Sequence, residues 1–182
     1  MDELIDLVDE FGNTTGQVCL KSIAHRLGLW HLCVDIWLYT DNGEVLIQKR
    51  VATKDVFPNL WDVSVAGHVG AGESPLNAAH RELQEELGIN IQPKDLNYIG
   101  NYKSSHKHNK HLTDKEFHYI YIAEFNGSID DLTLQAVEVS EIRLITINQL
   151  KNQLLNKKFT ETFVPYSEAY FTMVFNAIEA IV

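Results

Sequence analysis

The residues of this chain best suited to chemistry are three glutamates, Glu82, Glu85 and Glu86, which follow a glycine-rich stretch, Gly67-His68-Val69-Gly70-Ala71-Gly72-Glu73. On a helix, at about 100° per residue, the three carboxylates fall within an arc of roughly 100°, and Leu76, Leu83 and Leu87 form a stripe about 130° away. One face packs and the other presents acid. Like charges on adjacent turns repel, by roughly a few tenths of a kcal/mol per pair on an exposed helix. A hard divalent cation removes that penalty, because Mg²⁺ takes oxygen ligands and binds a few carboxylates together with substrate phosphates and water. Taken alone, such a helix also reads as a solvated acidic face, and the loop before it decides between the two.

From Gly67 to Ile89 the spacing resembles the signature of the Nudix family. That pattern is Gly, five residues, Glu, seven residues, Arg-Glu-apolar, any residue, Glu-Glu, any residue, Gly-apolar. Its fixed positions are met by Gly67, Glu73, Arg81, Glu82, Leu83, Glu85, Glu86, Gly88 and Ile89. The resemblance implies a diphosphate hydrolase in which Glu82, Glu85, Glu86 and the Gly67 carbonyl hold Mg²⁺ or Mn²⁺. Arg81 would hold Glu73 and orient the carboxylates. The metal would polarise a diphosphate and lower the pKa of an attacking water. Glu73, Arg81, Glu85 and, further along, Glu116 are the expected catalytic residues, and Glu138 is a second downstream acid of the same kind.

Over roughly residues 4 to 125 the chain also resembles the isopentenyl-diphosphate isomerase branch of that family. The likeness lies in Leu7-Val8-Asp9, Lys21, His25, Trp30-His31-Leu32, Arg50, Lys54, Phe57-Pro58-x-x-Trp61 and Val65-Ala66-Gly67-His68. By that analogy His25, His31, His68, Asp114 and Glu116 form a second metal site, a mixed nitrogen and oxygen set compatible with Zn²⁺ or Mn²⁺. Allylic isomerisation needs a protonating residue and a facing thiol or carboxyl. Where the isomerases carry their catalytic Cys this chain has Ala66, and where their box carries a basic residue this chain has Glu82. Both departures favour hydrolysis. A binding module without turnover is a third reading, disfavoured by the intact ligand set.

Positioning these groups requires a loop and helix docked on a sheet. Pro75 to Leu87 is expected to be the helix, with Ser74 as N-cap, Pro75 in its first turn and Gly88 as its stop. His31 to Tyr39 reads as a strand covered on both faces, turned by Asp41-Asn42-Gly43 into a second strand, Val45 to Arg50. Leu4 to Val8 reads as a first strand, with Val18 to Leu20 as a possible partner and Lys21 to Leu27 as a short helix. Further strands are expected at Trp61 to Ala66, Leu96 to Lys103, Glu116 to Phe125 and Glu141 to Ile145. Thr146 with Gln149 resembles a capping box for a helix to about Asn156, and a last helix follows Val164-Pro165 to about Ile181. This order gives an α/β fold of the α/β/α sandwich type with a mixed sheet. One domain is expected over 1–182, with an N-terminal region 1–30, a core 31–150 and a helical extension 151–182.

Around the motif, Lys21, Arg50 and Lys54 are the cations placed to meet substrate phosphate. Lys103 to Lys115 holds four Lys and three His, His106, His108 and His111. It reads either as an exposed polar loop or as a cationic patch that closes over phosphate or binds a transition metal. A formal net charge of -10 excludes a protein that coats nucleic acid or an anionic membrane. Cys19 and Cys33 form no CxxC and read as core thiols of a reducing compartment. With an acidic N-terminus and no long apolar run, a cytoplasmic location is expected. The partner is a small-molecule diphosphate. The apolar last helix packs on the core or, alternatively, forms a homodimer surface.

Overall fold

In the computed structural model, which describes residues 2–182, a mixed sheet lies between helices on both faces. Its axis is β3 (Trp30–Tyr39), built from the apolar run seen in the sequence. Along one edge β3 pairs in parallel with β8 (Leu112–Glu124), from Trp30↔Lys115 to Tyr39↔Glu124. Three shorter pairings share its other edge. β1 (Leu4–Val8) meets it at Leu7↔His31, β6 (Val65–His68) at Cys33↔His68 through Ile36↔Val65, and β4 (Glu44–Arg50) at Tyr39↔Val45. β2 (Thr14–Leu20) lies on β1, β5 (Trp61–Asp62) and β9 (Val139–Thr146) on β4, and β7 (Asn97–Asn109) on β8.

Alternation along β3 separates two cores. Val34, Ile36 and Leu38 point to the face covered by α2 (Pro75–Leu87), whose Leu83 and Leu87 are fully buried there. Each such leucine contributes about 1.5–3 kcal/mol through burial. Trp37 and Tyr39 point to the other face, covered by α3 (Ile147–Leu154) and α5 (Glu168–Glu179), with the short α4 (Lys157–Thr160) between these helices in the chain. α5 is therefore core-packing, with Tyr170, Phe171, Val174, Phe175 and Ile178 buried. Helix α1 (Lys21–Leu27) bridges β2 and β3.

Local signals set the ends of α2. The Ser74 side chain accepts the Asn77 N–H at 3.2 Å, and Gly88, at φ 71°, donates its N–H to the Gln84 carbonyl. The capping box at Thr146 and Gln149 is also present. Two expectations fail. The stretch from Trp61 to Ala66 is not one strand: it breaks at Val63-Ser64, where the Ser64 hydroxyl accepts from the Leu38 N–H and donates to the Leu46 carbonyl. β5 and β6 thus serve different partners. The segment from Lys103 to Lys115 is no loop, since β7 and β8 run through it to a tight turn at Lys110 and His111. No helix among the described residues is long and apolar enough to cross a membrane.

Candidate active site

Sheet register carries one face from apolar to polar. In strand β3 the residues Trp37 and Tyr39 lie in the α5 core, and Asp35, Cys33 and His31 continue the same face toward the N-terminal end. Cross-strand partners share a face. Ala66 and His68 of β6 lie beside Asp35 and Cys33, and His118 and Glu116 of β8 lie beside Cys33 and His31. Ser104 of β7 lies beside Glu116, and His106 beside Asp114. Here the sheet lines a cleft of about 200 Å³.

Helix α2 reaches this cleft from the opposite face at Gly67. A Cβ at position 67 would stand 2.1 Å from Glu82 Cδ, so the glycine exists to admit that carboxylate. Arg81 then ties the loop to the helix. Its Nε and Nη2 clamp Glu73 at 3.1 and 2.9 Å, Nη2 also donates to the His68 carbonyl, and Nη1 reaches Glu82 at 2.7 Å and Glu85 at 3.0 Å. Glu73 additionally accepts the Gly70 N–H, which closes the loop on itself. Those hydrogen bonds to Glu73 hold the guanidinium above its ordinary range.

Two of the three helix carboxylates are buried, Glu82 and Glu86, and Glu85 is exposed. Burial pushes Glu82 up to about 7 despite Arg81. Burial and the neighbouring Glu82 push Glu86 up to about 8, with only Gln48 Nε2 donating to it, at 2.9 Å. Near neutral pH such carboxyls ionise fully only beside added positive charge. Oxygen donors alone, two of them desolvated, suit a hard divalent cation, so the set fits Mg²⁺ or Mn²⁺.

A second cluster adjoins the first. His31 Nε2 lies 3.7 Å from Asp114 Oδ1 and 3.8 Å from Glu116 Oε1, His68 Nε2 lies 3.6 Å from Glu116 Oε1, and His25 Nε2 lies 3.5 Å from Asp114 Oδ1. The three Nε2 atoms and Asp114 Oδ1 are buried without a hydrogen-bond partner. Burial pushes His25 down to about 4, lowers His31, and sets His68 well below its usual value. Burial and Glu116 raise Asp114; against burial, the His118 imidazolium holds Glu116 low. Neutral imidazoles beside carboxylates could hold a metal here, in two overlapping groups that share His31: one with His25 and Asp114, the other with Cys33, His68 and Glu116.

The three cations of the sequence analysis are each engaged. Lys21 pairs with Glu3 at 2.9 Å, Lys54 with Glu138, and Arg50 donates to Asp62 and to the Val56 carbonyl. All three line the cleft. Phe57, at a strained φ of 46°, sets its ring edge-on to His106 and His108, joining the loop after β4 to the β7–β8 hairpin.

The NUDIX domain family matches residues 29–166. This chain belongs to that family. An uncharacterized Nudix hydrolase of Clostridium acetobutylicum is 37% identical over 92% of this chain and 82% of its own length. An isopentenyl-diphosphate Delta-isomerase of Serratia proteamaculans is 32% identical over 90% of this chain and 89% of its own. A crystal structure from Deinococcus radiodurans shares the fold with a TM-score of 0.66 at 23% identity, covering 94% of this chain and 98% of that one. Family and relatives make this a Nudix hydrolase.

Sequence reasoning missed the floor of the Nudix cleft. His118 Nδ1 donates to Asp35 at 3.0 Å, Tyr170 donates to the other Asp35 oxygen at 2.8 Å, and Tyr166 donates to Asp62 at 2.8 Å. Against burial, Asp35 and Glu116 raise His118 to about 9. Asp35 inside an apolar strand run was the available signal. Gln48 and Glu3 gave none.

Proposed function

We propose that this Nudix hydrolase cleaves the P–O–P linkage of an organic diphosphate, a nucleoside diphosphate derivative or a related compound, by attack of water on phosphorus. The observation that carries the reading is the single guanidinium of Arg81, which fixes Glu73, Glu82 and Glu85 beside Gly67 at the cleft wall. Mg²⁺ or Mn²⁺ held by Glu82, Glu85, Glu86 and the Gly67 carbonyl supplies charge for the diphosphate and acidifies water. Arg81 and Glu73 keep the ligands in place. Glu85, the exposed carboxylate, keeps one oxygen not bonded to Arg81 with which to take a proton from the attacking water. Glu116 is the weaker base, because its neighbours hold it ionised at low pH. Lys21 and Lys54 turn from Glu3 and Glu138 to phosphate oxygens, and Arg50 stiffens the wall through Asp62. His25, His31, His68, Asp114 and Glu116 offer donors for a second cation in the same cleft.

Isomerisation is disfavoured by geometry. The cleft wall carries Ala66 where the isomerases carry their thiol, and the thiol that lines the cleft, Cys33, donates to Glu116 instead of facing it across a gap.

A panel of nucleoside diphosphate derivatives, sugar nucleotides and isoprenyl diphosphates, incubated with Mg²⁺ or Mn²⁺ and followed by mass spectrometry, tests the reading. Cleavage products from at least one compound are expected. Interconversion of isopentenyl and dimethylallyl diphosphate, or ligand-dependent thermal stabilisation with no turnover of any compound, would count against it.

A further inference from the structure

The cleft runs on past the α2 carboxylates. From β6 the sheet continues through β3 and β8 to β7, which sets Ala66, Asp35, His118 and Ser104 in a diagonal row on one face. Neighbouring strands lie about 4.8 Å apart, so three steps across the sheet separate Ser104 from Gly67 by about 14 Å. Both residues line the cleft. A diphosphate anchored beside Gly67 therefore leaves its organic group to lie over β3 and β8 toward β7.

Ser104 ends a hydrogen-bond chain that starts in the core. An indole N–H can only donate, so the Tyr170 hydroxyl accepts from Trp37 Nε1 at 3.0 Å and gives its own hydrogen to Asp35 at 2.8 Å. The Asp35 carboxylate accepts from His118 Nδ1 at 3.0 Å, which turns His118 Nε2 to Ser104 Oγ, also at 3.0 Å. Trp37, Tyr170, Asp35 and His118 are all buried in close packing, so the last hydroxyl is held from behind. Whichever way the hydrogen between His118 and Ser104 points, this contact uses one of the hydroxyl's three bonding positions. Among the described residues the Ser104 side chain makes no other hydrogen bond. Its remaining positions are left for whatever fills the cleft.

The neighbourhood decides what that is. Glu116 stands directly across the ladder from Ser104, and its carboxylate repels phosphate from this end. Hydrocarbon set there would cover the Ser104 hydroxyl and Glu116 without replacing the hydrogen bonds that water gives them. A neutral hydroxyl or ring oxygen replaces those bonds. We propose that Ser104 is a specificity-determining residue that hydrogen-bonds an oxygen of the substrate's organic group. The enzyme then takes diphosphates of hydroxyl-bearing groups, such as a ribose or another sugar, and discriminates against isoprenyl diphosphates. The inference rests on the hydrolase reading for where the diphosphate sits.

Uncleavable probes test it without requiring turnover. With Mg²⁺ present, the full chain is titrated calorimetrically with methylene-bridged diphosphates of adenosine, of ribose and of isopentenol. At least one hydroxylated probe should bind at least about tenfold more tightly than the isopentenyl probe, a comparison that needs no variant. Ser104→Ala should weaken that probe by at least about tenfold and leave the isopentenyl probe unchanged, and Ser104→Thr, which keeps the hydroxyl, should restore most of the loss. A merely structural role would weaken all probes alike. That result, no effect of Ser104→Ala on any probe, an isopentenyl probe bound as tightly as the hydroxylated ones, or no hydroxylated probe bound would each overturn the proposal. A preference for hydroxylated probes with no diphosphate cleaved would sink the hydrolase reading alone.

Discussion

Gly67 carries no side chain because Glu82 stands where one would be. Gly67→Ala should leave the circular dichroism spectrum intact and displace Glu82 from the cleft, reducing turnover by at least about tenfold, as loss of ligand orientation does. Unchanged kcat would contradict that role. Arg81 makes bonds in several directions that one ammonium cannot reproduce. Arg81→Lys should therefore weaken Mg²⁺ activation by about 10–100-fold, read from the metal dependence of the rate. The contact between Arg81 and Glu73 was legible through the family resemblance, because the motif that carries it is contiguous. Asp35, Asp62 and His118 were not: they come from three separate strands, and only the folded sheet shows that they line one cleft.

At the scale of elements, β3, the turn after it and α2 could be read from sequence because their signals are local: an apolar run, Asp41-Asn42-Gly43, Ser74 and Gly88. Of the β7–β8 hairpin only the ends far from the turn could be read, Leu96 to Lys103 and Glu116 to Phe125, and the stretch from Lys103 to Lys115 could not. The hairpin's Ser104, His106, Asp114 and Glu116 face a polar cleft instead of the core, so the hydrophobic alternation that marks a strand is missing where the strands are longest. Helix α5 is tied to the sheet by more than apolar packing, since the Tyr170 hydroxyl accepts from Trp37 Nε1 at 3.0 Å and donates to Asp35. Tyr170→Phe strands a buried indole N–H and a buried carboxylate. It should cost about 1–3 kcal/mol. A lowered urea midpoint with an unchanged slope would show this, and an unshifted midpoint would contradict it.

Across the whole molecule, stability should depend on pH and metal together. Glu82 and Glu86 rise from 4.5 to about 7 and about 8 on folding, so the folded chain keeps protons the unfolded chain has lost, and stability falls as pH rises through those values. His118, raised from 6.5 to about 9, contributes stability that is fully present below 6.5 and lost as pH rises through 9. His25 acts oppositely: depressed from 6.5 to about 4, it contributes above 6.5 and loses its contribution as pH falls through 4. Above pH 6.5 the two carboxylates and His118 all pull stability down. Metal-stripped protein should melt at progressively lower temperature from pH 6.5 to 9, and Mg²⁺ should restore more at the upper end, where the carboxylates are ionised. A melting temperature flat over that range with or without Mg²⁺ would contradict the assignment of these buried acids to a cation.

The central claim is that a cation held by the α2 carboxylates drives hydrolysis, and the most direct measurement is the Mg²⁺-dependent rate of diphosphate cleavage in Glu85→Gln and Glu86→Gln beside the unaltered protein. Both substitutions keep the shape of the side chain and remove its charge. The account predicts that both variants fold normally and lose at least about tenfold in rate at saturating substrate. Rates equal to that of the unaltered protein in both variants would contradict it.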